Sequence, residues 1–295
     1  MVTRAQKLTA LVVVAILALL FDVPLAQSRN SGSAPRRIVS LVPAITEMLF
    51  AVGAGPQVVA VSSYDEFPAE VKALPKVGAL LDPDTERILA LRPDLVVVYG
   101  SQSELHTQLD RAGLRAFSYR HGGIATTLNT IREIGGATGH GAESDALVSS
   151  LHARLDTVRE RVKGRPQPRT LLVFERQPGT LREVYASGGV GFLHEMLEIA
   201  GGKNVFADVE RESVQPSVET LLARAPDVIL EVRAAGLIEK TPAADRDAWS
   251  VLSSIPAVRN RRVLLLAGDY LVVPGPRLAT ATEAFARALH PDAFK

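Results

Sequence analysis

Asp84-Thr85-Glu86-Arg87-Ile88-Leu89-Ala90-Leu91-Arg92-Pro93-Asp94-Leu95-Val96-Val97 is answered, later in the chain, by Ser217-Val218-Glu219-Thr220-Leu221-Leu222-Ala223-Arg224-Ala225-Pro226-Asp227-Val228-Ile229-Leu230. In both stretches a helical pattern with Glu in its first turn ends at Pro-Asp and runs into an apolar strand. Glu, Leu, Ala, Pro and Asp recur in register. An earlier pair matches too: Glu47-Met48-Leu49 leads to Gly53, and Glu195-Met196-Leu197 leads to Gly201. Two pairs in the same order predict two similar lobes.

Working outward, the flanking pattern alternates strand and helix. It predicts a strand over 37–42, a helix over 46–52 stopped by Gly53 and Gly55, and a strand over 58–61. A helix over 84–91 ends at Pro93, and a strand over 95–99 follows. The last is an unbroken apolar run, as in a parallel sheet covered on both faces. The fold class is therefore α/β, two similar three-layer lobes. Between the lobes, Leu147, Leu151, Leu155, Val158 and Val162 recur at three- and four-residue steps, one long amphipathic helix over 142–163. Gly164, Pro166 and Pro168 end it. A single helix as the main connection bends little; the alternative is a surface helix packed on one lobe. The boundaries expected are a signal peptide at 1–28, an N-terminal lobe at 36–140, the linking helix at 141–164 and a C-terminal lobe at 168–295.

Arg4 and Lys7 precede an apolar run from Leu8 to Phe21 and a small-residue stretch around Ala26, Gln27 and Ser28. That order is a secretory signal peptide. A cut after Ser28 fits small residues better than one after Ala26, where Pro24 interferes. The other reading is an uncleaved anchor, but the run falls short of the roughly 20 residues of a membrane span. The chain has no cysteine, which removes the thiol a lipoprotein anchor needs. The expectation is an exported protein free in the periplasm.

The formal net charge is +1, without a basic stripe, so no nucleic-acid partner is expected. Common enzyme motifs are absent: no Gly-Xaa-Ser-Xaa-Gly elbow, no phosphate-cradling loop ending in Gly-Lys, no His-Glu-Xaa-Xaa-His. The glycine-rich run Ala186-Ser187-Gly188-Gly189-Val190-Gly191 lacks dinucleotide spacing and reads as a tight turn near the cleft. The six histidines are scattered without compact ligand spacing, so no resident metal or cofactor is expected.

These features resemble the helical-backbone class of periplasmic binding proteins, which includes receptors for cobalamin, haem, ferric siderophores and bare metal ions. The resemblance covers roughly residues 37–289. It is carried by Arg37-Ile38-Val39-Ser40-Leu41-Val42-Pro43-Ala44-Ile45-Thr46-Glu47, by Val61-Ser62-Ser63-Tyr64, by the Glu-led helices ending in Pro93-Asp94 and Pro226-Asp227, and by the stretch from Trp249 to Val263. It implies a binder and not an enzyme, a monomer that captures a corrinoid, haem or a ferric siderophore. It also implies delivery to an ABC permease dimer with its ATPase subunits. A periplasmic hydrolase and a ligand sensor remain as other classes.

The resemblance to cobalamin receptors places Tyr64, Tyr99, Tyr185 and Asp269, with its neighbour Tyr270, in the ligand cleft. Where those receptors carry tryptophans this chain has Leu80 and Ser213, and a Glu-Arg pair is replaced by Val272-Val273. Arg176, following a strand over 171–174, is expected to face the cleft and offer a cationic fork to a ligand carboxylate. Arg120 and His121 lie at the corresponding end of the strand over 116–119. Glu86 and Glu219, each one turn into its helix behind the caps Asp84 and Ser217, are implied to dock on arginines of the permease. A first-turn carboxylate also suits the helix dipole on its own.

Overall fold

The computed structural model describes residues 33–233 and 247–295. The signal-peptide reading of 1–28 lies outside the described residues. In the N-terminal half, β1 (Ile38–Ser40), α1 (Pro43–Ala51), β2 (Val58–Val61), α2 (Thr85–Ala90), β3 (Leu95–Tyr99), α3 (Ser103–Arg111), β4 (Ala116–Tyr119) and α4 (Ile124–Thr138) follow one another. Their four strands form a parallel sheet in the order β2-β1-β3-β4. The first helix starts earlier than its apolar pattern suggests, because Pro43 sits at its first position, where a missing N–H costs nothing.

After the linking helix α5 (Gly141–Val162) come β5 (Arg169–Glu175), β6 (Tyr185–Ser187), α6 (Phe192–Ile199), β7 (Lys203–Asn204), β8 (Ser213–Val214), α7 (Val218–Arg224), β9 (Val228–Arg233), α8 (Pro256–Arg259), β10 (Val263–Ala267) and α9 (Leu278–Leu289). Strands β10, β9 and β5 are parallel and mirror the first sheet. The second sheet then departs from it. β6 pairs antiparallel with β5 and β8 antiparallel with β6, and the two-residue β7 pairs with β5.

The repeat has a structural counterpart in both lobes. The Asp94 carboxylate accepts the backbone N–H groups of Arg36 and Arg37, and Asp227 accepts that of Arg169. The Arg37 side chain donates to the Leu91 carbonyl, and the Arg169 side chain to that of Arg224. So in each lobe an arginine at the start of the first strand satisfies the end of the Glu-led helix, and an aspartate ties that strand to its neighbour. The residue before each proline, Arg92 (φ 48°) and Ala225 (φ 43°), is left-handed. This costs a non-glycine residue energy that the surrounding bonds offset.

The linking helix joins the lobes through a shared core. Val148, Leu151, Leu155, Val158 and Val162 are buried in one apolar cluster that also holds Ile131 and Ile134 of α4, Met196 and Leu197 of α6, and Phe285 and Leu289 of α9. The helix packs on α4 from the first lobe and on α6 and α9 from the second, so it is not a surface helix of one lobe. Leu147 of the expected stripe packs only at the edge of that cluster, while Val148 is fully buried. Leu155→Ala should cost about 2–5 kcal/mol of stability. A urea transition monitored by circular dichroism would move down as one cooperative step; two separate transitions would show that the lobes do not share this core.

Candidate functional site

The loops at the carboxyl ends of the parallel strands converge, as ligand-binding loops of open α/β sheets do. After β2, the Asp65 carboxylate accepts the Ser62 N–H and the Ser62 hydroxyl accepts the Tyr64 N–H. That turn throws Tyr64 outward, 75% exposed. The Ser63 N–H donates to the Gly78 carbonyl, which brings the 78–81 loop alongside. Gln102 then ties this loop to the end of β3, accepting the Tyr99 N–H and donating to the Leu80 carbonyl. Tyr64, Leu80 and Tyr99 therefore share one end of the first sheet, with Leu80 and Leu81 both exposed.

A chain of rings crosses from this lobe to the other. Tyr99 meets Tyr119 edge-on at 5.8 Å, Tyr119 meets His121 at 6.2 Å, and His121 meets Phe192 of α6 at 5.4 Å. The His121 Nδ1 lies 3.1 Å from the Tyr119 hydroxyl. Its Nε2 lies 3.5 Å from the Glu212 carboxylate of the second lobe. Burial pushes the Tyr119 hydroxyl well above the usual phenol range, so it stays protonated.

Beneath this bridge is a cavity of about 240 Å³, walled by Phe174, Val190, Phe192, Leu193 and Val272, with His121, Glu212 and Ser213 on its polar side. Tyr185 stands behind that wall, tilted against Phe174 at 6.4 Å. Apolar rings around a few polar groups suit a flat ligand of mixed polarity. Phe174 and Phe192 are the site residues that the sequence reading did not single out; His121 it placed at the end of a strand beside Arg120. Phe174 lies within β5 and Phe192 opens α6, positions where an apolar ring reads as ordinary core.

Arg176 is a correction. Its side chain is 2% exposed and pairs with Glu231 at 3.0 Å. It also donates to the Thr180 carbonyl. The guanidinium is consumed inside the lobe and offers no open fork to a ligand. Glu231, a buried acid on apolar β9, gathers Arg176, Arg233 and the Trp249 indole N–H. A buried carboxylate needs such partners.

Asp269 is exposed at the end of β10, and Tyr270 is half-buried with its ring 5.7 Å from the Arg277 guanidinium. Glu86 and Glu219 are exposed in their first turns, behind caps in which Asp84 accepts the Arg87 N–H and Ser217 the Thr220 N–H. Among the described residues no group of three or more His, Cys, Asp or Glu is placed to hold a metal ion. None of the described helices is long and apolar enough to cross a membrane.

Two carboxylates fix the lobes against each other. Arg277, the cap of α9, donates two bonds of 2.8 and 2.6 Å to Glu47 of α1, and its guanidinium lies 4.0 Å from the centre of the Phe67 ring. Burial holds the Glu47 carboxyl above its usual range against the pull of Arg277. In the reverse direction, Glu195 of α6 accepts the Ile124 N–H at 2.7 Å, capping α4 of the first lobe. Gly123 makes room for it, since a Cβ there would lie 2.0 Å from the Glu195 carboxylate. These are the two glutamates of the Glu-Met-Leu repeat.

Comparison with known proteins fits this geometry. Residues 38–270 match the family described as periplasmic binding protein. The uncharacterised ABC transporter substrate-binding lipoprotein YvrC of Bacillus subtilis is 33% identical over 269 residues, which is 88% of this chain and 82% of that one. The vitamin B12-binding protein of Salmonella typhimurium is 30% identical, over 86% of this chain and 90% of its own. The crystal structure of a periplasmic haem-binding protein from Pseudomonas aeruginosa superposes with a TM-score of 0.73 at 25% identity, covering 87% of this chain and 93% of that one.

Arg277→Ala would strand Glu47 buried and unpaired, and should cost about 3–5 kcal/mol in urea unfolding. The Glu47→Ala, Arg277→Ala double variant should cost less than the sum of the two single changes. Strict additivity would mean that the two side chains are not coupled.

Proposed function

The chain belongs to the periplasmic binding protein family, and we propose that it is the extracytoplasmic ligand-capturing component of an ABC importer whose ligand is a corrinoid of the cobalamin type. The observation that carries this reading is the cleft itself. Strand-end loops of both lobes meet there, aromatic and aliphatic side chains wall it, and few polar groups interrupt them. A corrin ring offers two broad apolar faces and a polar amide fringe, the partition these walls suit. Tyr64, Leu80, Tyr99, Tyr185, Ser213, Asp269 and Tyr270 would surround it, now joined by His121, Phe174 and Phe192. Leu80 and Ser213 leave the walls less aromatic than tryptophans would, which favours a ligand gripped through aliphatic contact as much as stacking.

The mature protein, cut after Ser28, works as a periplasmic monomer, with lobes 36–140 and 168–295 on either side of the linking helix 141–164. It binds without turning its ligand over, and passes it to a permease dimer driven by separate ATPase subunits. Glu86 and Glu219 meet cations on the two permease halves, setting orientation and encounter rate.

A second reading, haem, is favoured by His121. Its ring is held by Tyr119 on one side and borders the cavity on the other, as suits a ligand to a planar metal macrocycle.

Equilibrium dialysis of the mature protein against cyanocobalamin and, separately, haemin decides between the two by visible absorbance. Near-stoichiometric retention of cyanocobalamin is expected. Retention of haemin alone would transfer the assignment, and retention of neither would remove both. Phe192→Ala should weaken binding of the retained compound about 30-fold, the equivalent of roughly 2 kcal/mol for a well-packed aromatic contact. Glu86→Lys, Glu219→Lys should abolish uptake while leaving that affinity unchanged; undiminished uptake would remove the docking assignment.

A further inference from the structure

On the outer helices of the two lobes, α2 and α7, the residues kept identical by the repeat fall into two groups. Pro93 and Pro226 end the helices, and Asp94 and Asp227 bind backbone N–H groups of the neighbouring strand. Those have structural reasons. The other identities are Glu86 with Glu219, Leu89 with Leu222, and Ala90 with Ala223, and all six residues are exposed. The inward residues, Ile88 and Leu221, are fully buried yet differ between the lobes. Arg87 and Thr220, beside the glutamates, also differ. Packing therefore accounts for the positions that vary and not for the outward three that match.

Leu89 and Leu222 are 39% and 40% exposed. One exposed leucine is ordinary. Two at equivalent places, each three residues after an equivalent glutamate and so on the same helical face, form a duplicated surface. Each copy sets a carboxylate at the helix start and an apolar side chain one turn along. We propose that Leu89 and Leu222 are part of the transporter-docking surface, each seated in an apolar socket beside the cation that receives Glu86 or Glu219. The occupant is the permease pair, whose two halves present the same socket twice. The duplication of an exposed carboxylate with an exposed leucine, one copy on each lobe, points to that partner of two like halves. The inference rests on the docking reading of the two glutamates, and it divides the labour: the carboxylates set register and encounter, the leucines hold the complex.

The test is the dissociation constant of the mature protein for the permease–ATPase complex of the same cell, reconstituted in lipid nanodiscs, at low and high salt. Leu89→Ala and Leu222→Ala should each weaken the complex about fivefold, and about 25-fold together, since roughly two-fifths of each side chain would otherwise be buried on docking. The loss should be similar at both salt concentrations, because apolar contact is not screened. Glu86→Gln, Glu219→Gln should instead flatten the salt dependence. Circular dichroism should show both double variants folded at the assay temperature, with the leucine pair melting earlier because the larger part of each side chain is buried. Wild-type affinity for the leucine variant, alongside weakened binding of the glutamine variant, would overturn this inference alone. Wild-type behaviour of the glutamine variant would overturn the docking reading beneath it.

Discussion

The cleft depends on two carboxylates that leave one lobe and bond the other. Glu47 on the first helix of the N-terminal lobe grips Arg277 at the start of α9, and Glu195 on the first helix of the C-terminal lobe caps α4. The two acids are related by the internal repeat, so the crossing is reciprocal: each lobe's first helix steadies the N-terminus of the other's last. At α4 the receptor is the helix start itself, whose N–H groups lack partners and whose dipole end is positive; at α9 it is the guanidinium of the capping Arg277. Neither bond could form if one lobe slid along the other, so the pair fixes the register in which strand-end loops face each other.

That register is reinforced by the linking helix, whose buried face belongs to one core with helices of both lobes. A core of this kind responds to strain in steps rather than by smooth bending, because its side chains are already close-packed. A hinge that opens widely would have to break both carboxylate bonds and expose apolar surface along the linking helix. The structure therefore favours small adjustments at the cleft, such as the His121–Glu212 contact, which is half exposed on both sides. Such a contact costs little to open, since exposed ion pairs contribute at most about 1 kcal/mol. Work to separate the lobes further must come from a partner that binds the opened form better.

Much of this was legible in the residues themselves. The caps Asp84 and Ser217, the strands at 58–61, 95–99 and 116–119, and the linking helix all follow from local chemistry: a side chain bonding its own helix start, an apolar run, a three-and-four-residue stripe. The short antiparallel strands β6 and β8 did not, because two or three residues are too few to show a period. Arg176 misled for a different reason. A charged residue just past a strand end looks like a cleft residue, and only the tertiary position of Glu231, an acid in an apolar strand, explains why the guanidinium turns inward. The ring chain from Tyr99 to Phe192 was hidden likewise, since its members come from three elements in two lobes. The Glu-Met-Leu repeat was visible, but its meaning as a pair of crossing bonds lies in geometry that spacing does not contain.

Topology also settles where function can gather. In a parallel sheet the helix between two strands returns from the carboxyl ends to the amino ends, so its first turn lies at the same end as the ligand loops. Asp84 and Ser217, the caps of the Glu-led helices, therefore flank the cleft rather than its far side, one on each lobe. The exposed carboxylates there share one end of the sheets with the ring chain of Tyr99, His121 and Phe192. A partner that seats on both outer helices closes over the cleft as it does so, and any force it applies to the two helix starts acts directly on the loops that grip the ligand. On the proposed docking, capture and handover need no long-range signal through the core. They follow from building both lobes on the same strand-and-helix unit and turning their carboxyl ends toward each other.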